Sequence, residues 1–294
     1  MEGNKKNGFP IFLLLIIVVL LIIGAAFGGT YLGNKYYEKE LQKEIKEENV
    51  DKKDDEDEKK SEDKTTKQPE EEKIEIKYET EKMELASSKD KKRYFKHSRT
   101  YPTKISIDAA AEKKILDYMR KISDKEWESI SKESKEMIND YEKGNAYLEE
   151  GPLGVEYSVG TMLANKSVIS FNFVTTGGMG GVSWSEAKHY NFDTSTGDLL
   201  TLESVCSDVD TCKNTLFNYF VEELKKDERF NDLESDYEAG IKKNIYEVGG
   251  WGFTTEGLVL IVGKYEIADG ANGIFSYIIP YNKVNSLLVE KYRQ

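Results

Sequence analysis

The sequence predicts an α+β fold for most of the chain, preceded by a membrane-spanning helix and a charged linker. Two groups of short apolar runs show the alternation of strands, and longer segments with helical periodicity lie between them. The strand-like runs follow one another instead of alternating one by one with helices. This order favours a mixed or antiparallel sheet with packed helices over a regular βαβ arrangement.

The first predicted element is a transmembrane helix over residues 9–33, because no charged residue occurs from Phe9 to Leu32. As a helix this uncharged run extends over about 36 Å, which is enough to cross a hydrocarbon core of ~30 Å. A cleaved signal peptide is the alternative, since small residues occur at positions 24–26. The run is longer than the apolar region of a signal peptide, which favours a retained anchor.

Residues 1–8 are predicted to form a short cytoplasmic head. Lys5 and Lys6 give this head a positive charge, and positive flanks of a first span usually stay in the cytoplasm. The expected location is therefore the cell membrane, with a single span, a cytoplasmic N-terminus and an extracytoplasmic C-terminal domain.

Residues 34–73 are predicted to form a disordered charged linker. Lysine, aspartate and glutamate dominate this segment, and it has too few apolar residues to offset the entropy of ordering.

The net charge of −12 bears on the partners of the protein. Residues 1–8 contribute +1 and residues 34–73 contribute −5, which leaves −8 for residues 74–294. An acidic domain of this kind argues against nucleic acid, which is held by a net basic surface. It suits a basic partner, or solubility alone.

The first folded segment is predicted to contain short strands and one long helix. Residues 74–78 and 105–107 alternate as half-buried strands do, and residues 93–102 form an aromatic stretch assigned to a strand or a loop. A helix is predicted to begin after Asp108, to be interrupted near residues 123–124, and to end before Gly144.

The rest of the chain is predicted to be rich in strands. Strands are expected at residues 155–163, 168–174, 184–192, 251–254, 258–262 and 274–280, and the first two form a hairpin. Helices are expected at residues 213–226 and 232–243, with a short one that contains Val284, Leu287 and Leu288. The expected core residues are Trp251, Phe253, Leu258, Leu260, Val262 and Tyr265.

The two cysteines, Cys206 and Cys212, allow two interpretations. They form a disulfide, which an oxidising compartment favours, or they are a pair of free thiols. Neither His97 nor His189 stands at metal-ligand spacing from them, so no metal site is predicted.

No catalytic residue and no cofactor is predicted. Strand alternation places Ser185 and His189 on one face, but a histidine in a half-exposed strand is more often structural. The glycine-rich residues 176–181 lie between two predicted strands and do not open a helix. They therefore do not match a phosphate-binding loop.

Five ordered motifs resemble the RsiV-type extracytoplasmic domain. They are Phe171-x-Phe173-x-x-x-Gly177-Gly178, Tyr190-Asn191-Phe192-Asp193-x-x-x-Gly197, Trp251-x-Phe253-Thr254-x-x-Gly257-Leu258, Tyr265-Glu266-Ile267-Ala268-x-x-Ala271-x-Gly273 and Ile279-Pro280-Tyr281. This family occurs on the anti-sigma factor RsiV and ahead of the catalytic domain of the peptidoglycan deacetylase PdaC. The resemblance implies an RsiV-type domain over residues 151–294 and a companion α+β segment over residues 74–150.

The same resemblance implies a binding function, since the exported domain of RsiV is a receptor for the basic glycosidase lysozyme. An eight-residue head is too short to hold a sigma factor, so the anti-sigma function is not expected here. The expectation is a membrane-anchored, non-catalytic envelope module whose ligand is a lysozyme-like protein or a cell-wall glycan. An envelope hydrolase and a sensor released by proteolysis are the alternatives.

The ligand-binding residues are expected in two connections between strands. The first contains Gly177, Gly178 and Trp184, with Glu186 close by, and the second contains Glu266 and Asp269. Trp184 is the expected aromatic anchor, or else a residue packed beneath its loop, and the carboxylates are expected to steer a basic partner.

Overall fold

The structure is a computed structural model that describes residues 73–179 and 182–294, and its fold is α+β, as predicted. These residues belong to one compact unit that extends from Glu70 to Gln294. The predicted head, the predicted span at residues 9–33 and the linker up to residue 72 lie outside the described residues. In the described part, no helix is both long and apolar enough to cross a membrane.

The larger of two sheets has five strands in the order of the chain. They are β1 (Ile76–Ala86), β2 (Tyr94–Ile105), β3 (Gly154–Ala164), β4 (Val168–Met179) and β5 (Val182–Asp193). Neighbouring strands are antiparallel except β2 and β3, which are parallel. A parallel pair needs a crossover, and helix α1 (Ala109–Lys143) provides it. The sheet therefore contains strands from both predicted segments, residues 74–150 and residues 151–294.

Strand β2 joins two segments that the sequence analysis separated. The aromatic residues 93–102, assigned to a strand or a loop, continue in one strand to Ile105. The pairing with β1 shifts by one residue between Lys77 and Tyr78, which lies opposite Pro102. A bulge accommodates a proline, which cannot donate to the ladder, so the strand passes through this position.

Helix α1 begins and ends where predicted, but the predicted interruption near residues 123–124 is wrong. The Asp108 carboxylate accepts hydrogen bonds from N–H groups of the first turn, and Gly144 closes the helix at φ 79°. Ser123 is buried, and Asp124 forms an ion pair with Arg99 of β2 at 2.6 Å. These polar side chains contact the sheet, and they do not break the helix.

The space between α1 and the sheet is filled by apolar side chains. Ile115 and Met119 of the helix are fully buried there with Phe171 of β4 and Phe192 of β5. The apolar stripe predicted for α1 therefore faces the sheet. The sheet covers the first half of this helix more completely than the second half.

The smaller sheet has three antiparallel strands and its own core. They are β6 (Trp251–Phe253), β7 (Gly257–Val262) and β8 (Phe275–Pro280). The helices around it are α2 (Leu202–Val205), α3 (Val209–Leu224), α4 (Tyr237–Ile245) and α5 (Tyr281–Val284), with 3₁₀ turns at Glu228–Asp232, Gly270–Asn272, Asn285–Leu287 and Glu290–Tyr292. Trp251, Phe253, Leu258, Leu260 and Val262 are buried, as predicted.

The helix predicted at residues 232–243 begins later than expected. Residues 233 and 234 pair with the β7–β8 connection, because Leu233 forms a bridge with Ala268 and the N–H of Glu234 donates to the carbonyl of Ile267. Only after this contact does the chain enter α4.

The prediction that Tyr265 is buried is wrong. The residue has a φ of 66° and its side chain is 67% exposed. A left-handed backbone is uncommon for a bulky residue, and here it belongs to the turn that follows β7, where the side chain faces solvent. Its ring lies against Gly270, where a β-carbon would come within 2.1 Å of it.

Asn191 joins the two sheets. Its amide nitrogen donates to the carbonyl of Trp251 at 3.0 Å, and its Oδ1 accepts from the N–H of Phe253 at 3.1 Å. Ser170 of β4 also donates to Oδ1, at 2.7 Å. The amide is buried and both its nitrogen and its oxygen are hydrogen-bonded, so it sets the register between β5 and β6.

Candidate functional site

A groove opens between the second half of α1 and the sheet surface formed by β3, β4 and β5. The lining residues from α1 are Ile122, Glu126, Ser129, Ile130 and Glu133, and those from the strands are Tyr157, Phe173, Thr175, Trp184, Glu186, Lys188 and Tyr190. The helix residues recur at helical spacing, so they share one face of α1. The groove thus has a helical wall and a sheet floor.

The floor of the groove follows from strand register. Trp184 of β5 pairs with Gly177 of β4, and Glu186 pairs with Thr175, which in turn lies opposite Tyr157 of β3. Side chains of paired residues point to the same face of a sheet. Trp184 and Glu186 therefore stand in successive rows on the face that α1 covers only in part.

Gly177 provides the space for the indole ring of Trp184. A β-carbon at Gly177 would come within 2.6 Å of two ring carbons of Trp184, closer than such atoms approach in proteins. Trp184 is half-buried and packs against the core beneath α1. It is both a packed residue and an accessible wall of the groove, so the two expectations for this tryptophan are not exclusive.

The groove is acidic. Glu126, Glu133 and Glu186 contribute three carboxylates, and Lys188 is the one cation among the lining residues. Within residues 73–179 and 182–294, none of these three carboxylates has an ion-pair partner. Ser129 donates to Glu133 at 2.8 Å. The carboxylates thus stay available to a cation that enters from solvent.

The tyrosines of the floor respond to this charge. Burial raises the pKa of Tyr157, and the negative charges of Glu126, Glu133 and Glu186 raise it further. Burial likewise raises the pKa of Tyr190 to about 12, with a smaller contribution from Glu126. The same field that disfavours a phenolate favours a cation on the aromatic floor.

The size of the groove limits what enters it. Its volume is about 240 Å³, below the ~300–1,000 Å³ usual for sites that enclose a drug-sized ligand. It has room for one long side chain and not for several sugar rings.

Gly177 and Gly178, expected in a loop, belong to β4, which extends to Met179. Cross-strand pairs continue as far as the end of that strand, so the connection is shorter than the sequence suggested. Gly177 lies beneath the ring of Trp184, and Gly178 is the next residue of the strand, paired with Ser183.

Glu266 and Asp269 lie on the β7–β8 connection and do not line the groove. Glu266 accepts hydrogen bonds from Lys243 at 3.0 Å and Asn244 at 3.2 Å, and the first of these lowers the pKa of the carboxyl group. Asp269 is exposed. The structure therefore does not bring the two expected binding segments together.

Both histidines are buried, in different ways. His97 accepts from the N–H of Val155 at 3.1 Å through Nδ1 and bonds Ser134 through Nε2 at 2.9 Å. His189 has no partner for either ring nitrogen in the described part of the chain. It stands four positions after Ser185 in the strand, a distance of about 13 Å, so these side chains do not form a nucleophile–base pair.

Cys206 and Cys212 are joined by a disulfide with a Cα–Cα distance of 6.1 Å. It connects the end of α2 to the first turn of α3. Among the described residues, no cluster of three histidine, cysteine, aspartate or glutamate side chains has the arrangement of a metal site.

The segment around the smaller sheet can be compared with known families. Residues 203–282 match the family model DUF3298, a protein family of unknown function. The DUF3298 match covers three of the five sequence motifs and the strands β6–β8. The groove residues lie before it in the chain.

Two crystal structures of DUF3298 proteins match this chain at different levels of similarity. A family member from Bacteroides fragilis has a TM-score of 0.53 and 13% identity, over 74% of this chain and 94% of that chain. A family protein from Pseudomonas aeruginosa has a TM-score of 0.49 and 10% identity, over 74% of this chain and 96% of that chain. No curated protein matches the sequence. At 13% identity the first likeness concerns the fold alone.

The sequence analysis missed the acidic wall of the groove, which lies outside the DUF3298 match. Glu126 stands four residues after Ile122, and Glu133 three residues after Ile130, so both share the face of those apolar residues. The sequence pattern that could have indicated this wall is the presence of carboxylates on the otherwise apolar stripe of α1.

Proposed function

We propose that this chain is a membrane-anchored, extracytoplasmic binding module that captures a basic protein through the groove between α1 and β5. The observation that carries the proposal is a set of three carboxylates above an aromatic floor, Glu126, Glu133 and Glu186, for which the described residues provide no ion-pair partner. A lysine or arginine side chain would place its cation among the carboxylates and its stem along Trp184.

The dimensions of the groove favour a protein over a glycan. One side chain fits a volume of about 240 Å³, whereas a chain of sugars needs a longer cleft. The excess of carboxylates also selects a cation, and most cell-wall sugars carry none. The RsiV-type resemblance also favours a protein ligand, because it implies a receptor for lysozyme, a basic protein.

The anchor and the orientation are part of the proposal. They rest on the uncharged residues 9–33 and on the lysines of the head. Protease added to intact protoplasts should digest the chain after about residue 34. Protection of the C-terminal domain would contradict the orientation, and the function with it.

Capture of hen lysozyme by the full chain in mild detergent tests the proposal. Trp184→Ala and Glu186→Lys should each weaken the complex at least about tenfold, since both remove groove contacts. Glu256→Lys is the matched control, because Glu256 is also exposed and lies in the β6–β7 turn, away from the groove residues in the sequence. Equal binding by all three variants would place the contact elsewhere, and no binding by the parent chain would remove lysozyme as the partner.

A further inference from the structure

The outer edge of β5 is used along only half of its length. The N–H of His189 donates to Gly249, the carbonyl of Asn191 accepts from Leu200, and the N–H of Asp193 donates to Asp198. All three residues have odd numbers. In an antiparallel strand, backbone groups of alternate residues point to the same side, so the odd residues of β5 point away from β4.

The other half of this edge has no partner among the described residues. Ser183, Ser185 and Ala187 have the same outward orientation, and within the described residues β5 pairs with no strand except β4. No backbone hydrogen bond to these three residues is formed from outside the strand by the part of the chain described. Three N–H and three C=O groups thus face outward beside the groove.

The opposite edge of the sheet, formed by β1, is protected against pairing with a further strand. Strand β1 carries charged side chains along its whole length, which is a common way to prevent a further strand from pairing. These side chains are Lys77, Glu79, Glu81, Lys82 and Glu84. Between Ser183 and Ala187, the open part of β5 has one charged residue, Glu186. The open edge of β5 therefore lacks the protection that β1 has.

We infer that Ser183–Ala187 is a docking edge for an extended, basic segment of the partner, which adds as a sixth strand. The inference rests on the proposed function and gives the binding mode. An added strand lies ~4.8 Å from β5, and alternate side chains from it face the groove. Lysine or arginine at every second position would then face Glu186, with Glu126 and Glu133 across the groove.

Charge complementarity selects this occupant over a second copy of the chain. Two copies paired through β5 would bring together two grooves, each with three carboxylates and one ammonium group. Like charges across a strand pair are destabilising, whereas a lysine-rich strand is attracted. A heterologous basic strand is thus the better complement.

A short labelled peptide in which threonine and lysine alternate is the probe. It should bind the full chain in mild detergent, as measured by fluorescence anisotropy. Two N-methylated forms are compared, one methylated at every threonine and the other at every lysine. In a paired strand only one of these sets of N–H groups faces β5. One form should therefore bind at least about tenfold more weakly than the other, and equal affinity would overturn strand addition.

A pair of variants tests the same edge from the side of the protein. Ala187→Pro removes one outward N–H at an edge position where proline is tolerated, and Ala187→Val adds bulk but keeps the N–H. The first should weaken peptide binding about tenfold and the second less than twofold. If Ala187→Pro fails to fold, the N-methylated peptides still decide the matter.

The outcomes separate this inference from the proposed function. Peptide binding that depends on N-methylation, without capture of lysozyme, would support the docking edge and contradict the lysozyme-like partner. Capture of lysozyme without peptide binding would support the proposed function and overturn strand addition. A dimer in sedimentation whose Ser183, Ser185 and Ala187 amides are protected from exchange before peptide is added would also overturn it.

Discussion

The indole ring of Trp184 lies so close to the backbone of Gly177, its partner across the β4–β5 pair, that no other residue fits at position 177 without displacing it. The glycine removes a β-carbon from the floor of the groove, and the tryptophan fills that space. The position of the aromatic wall therefore depends on a residue with no side chain of its own.

Gly177→Ala is expected to move the indole ring and to destabilise the fold by about 1–3 kcal/mol, as overpacking does. Gly160→Ala in β3 is the control, because a β-carbon there meets nothing within 4 Å. Urea denaturation measures stability, and capture of lysozyme measures the groove. Equal stability and equal capture in the two variants would mean that Trp184 adapts without cost.

The complex with a basic partner should weaken as salt rises. The carboxylates of the groove are partly or fully exposed, so added ions screen their attraction for a cation. Glu186→Lys should reduce both the affinity and its dependence on salt, and the loss is expected mainly in the association rate. Surface plasmon resonance at several salt concentrations measures both. A salt-independent affinity for the parent chain would argue for apolar contact alone.

Periodicity predicted most of the fold, because the strands of the larger sheet and the longer helices each bury one face more than the other. The alternation in β3, β4 and β5 and the stripe in α1 were enough to assign them. The parallel pairing of β2 with β3 was not predicted, since register between distant strands depends on how α1 crosses the sheet. Tyr265 was expected in the core together with residues of β6 and β7, but it follows β7 with a left-handed backbone and its side chain is exposed.

The candidate site was predicted only in part. Trp184 was expected at the end of a connection and Glu186 just after it in a predicted strand, and the structure places both inside β5, which forms one side of the groove. Their partners Glu126 and Glu133 are about 60 residues away in sequence and come from α1. Only the packing of the helix on the sheet brings these residues together, and no local pattern contains that information.

His189 should make the stability of the domain depend on pH. Burial lowers its pKa to about 4 in the folded state, against ~6.5 when unfolded. Between these values the unfolded chain binds a proton that the folded chain does not. The stability is therefore complete above pH ~6.5 and decreases as pH falls toward 4, by roughly 3 kcal/mol at most.

His189→Leu separates this effect from other titrations. Neither ring nitrogen has a hydrogen-bond partner among the described residues, so the apolar replacement leaves no described partner unpaired. The variant should be about as stable as the parent at pH 7 and should lose much of the decrease between pH 6.5 and 4.5. Thermal unfolding followed by circular dichroism at each pH measures this. An identical pH profile would assign the decrease to other groups.

Reduction of the disulfide should loosen the connection between α2 and α3 without unfolding the domain. Cys206 and Cys212 enclose a short loop, for which the entropy model gives about 2 to 3 kcal/mol. Most of the surrounding core does not depend on the bond, since α3 packs through Leu216, Phe220 and Leu224. Hydrogen exchange before and after reduction should change near residues 206–212. Global loss of protection would show that the bond stabilises the whole domain.

Trp251→Ala is expected to be the most destabilising of these substitutions. The side chain is 1% exposed and its ring contacts Phe253 edge-on, with the ring centroids 5.7 Å apart. Its carbonyl also accepts the hydrogen bond from Asn191 that joins the two sheets, and the backbone would shift if the cavity collapsed. Truncation of a large buried aromatic residue costs about 3–5 kcal/mol, because transfer and cavity contributions add. Tyr147→Ala is the matched control, since Tyr147 is 77% exposed and should change stability by less than about 0.5 kcal/mol. Urea midpoints for the two variants and the parent measure the difference.

If Trp251→Ala kept the midpoint of the parent, the smaller sheet would not be part of the cooperative core. In that case the hydrogen bonds of Asn191 would join two independently stable layers.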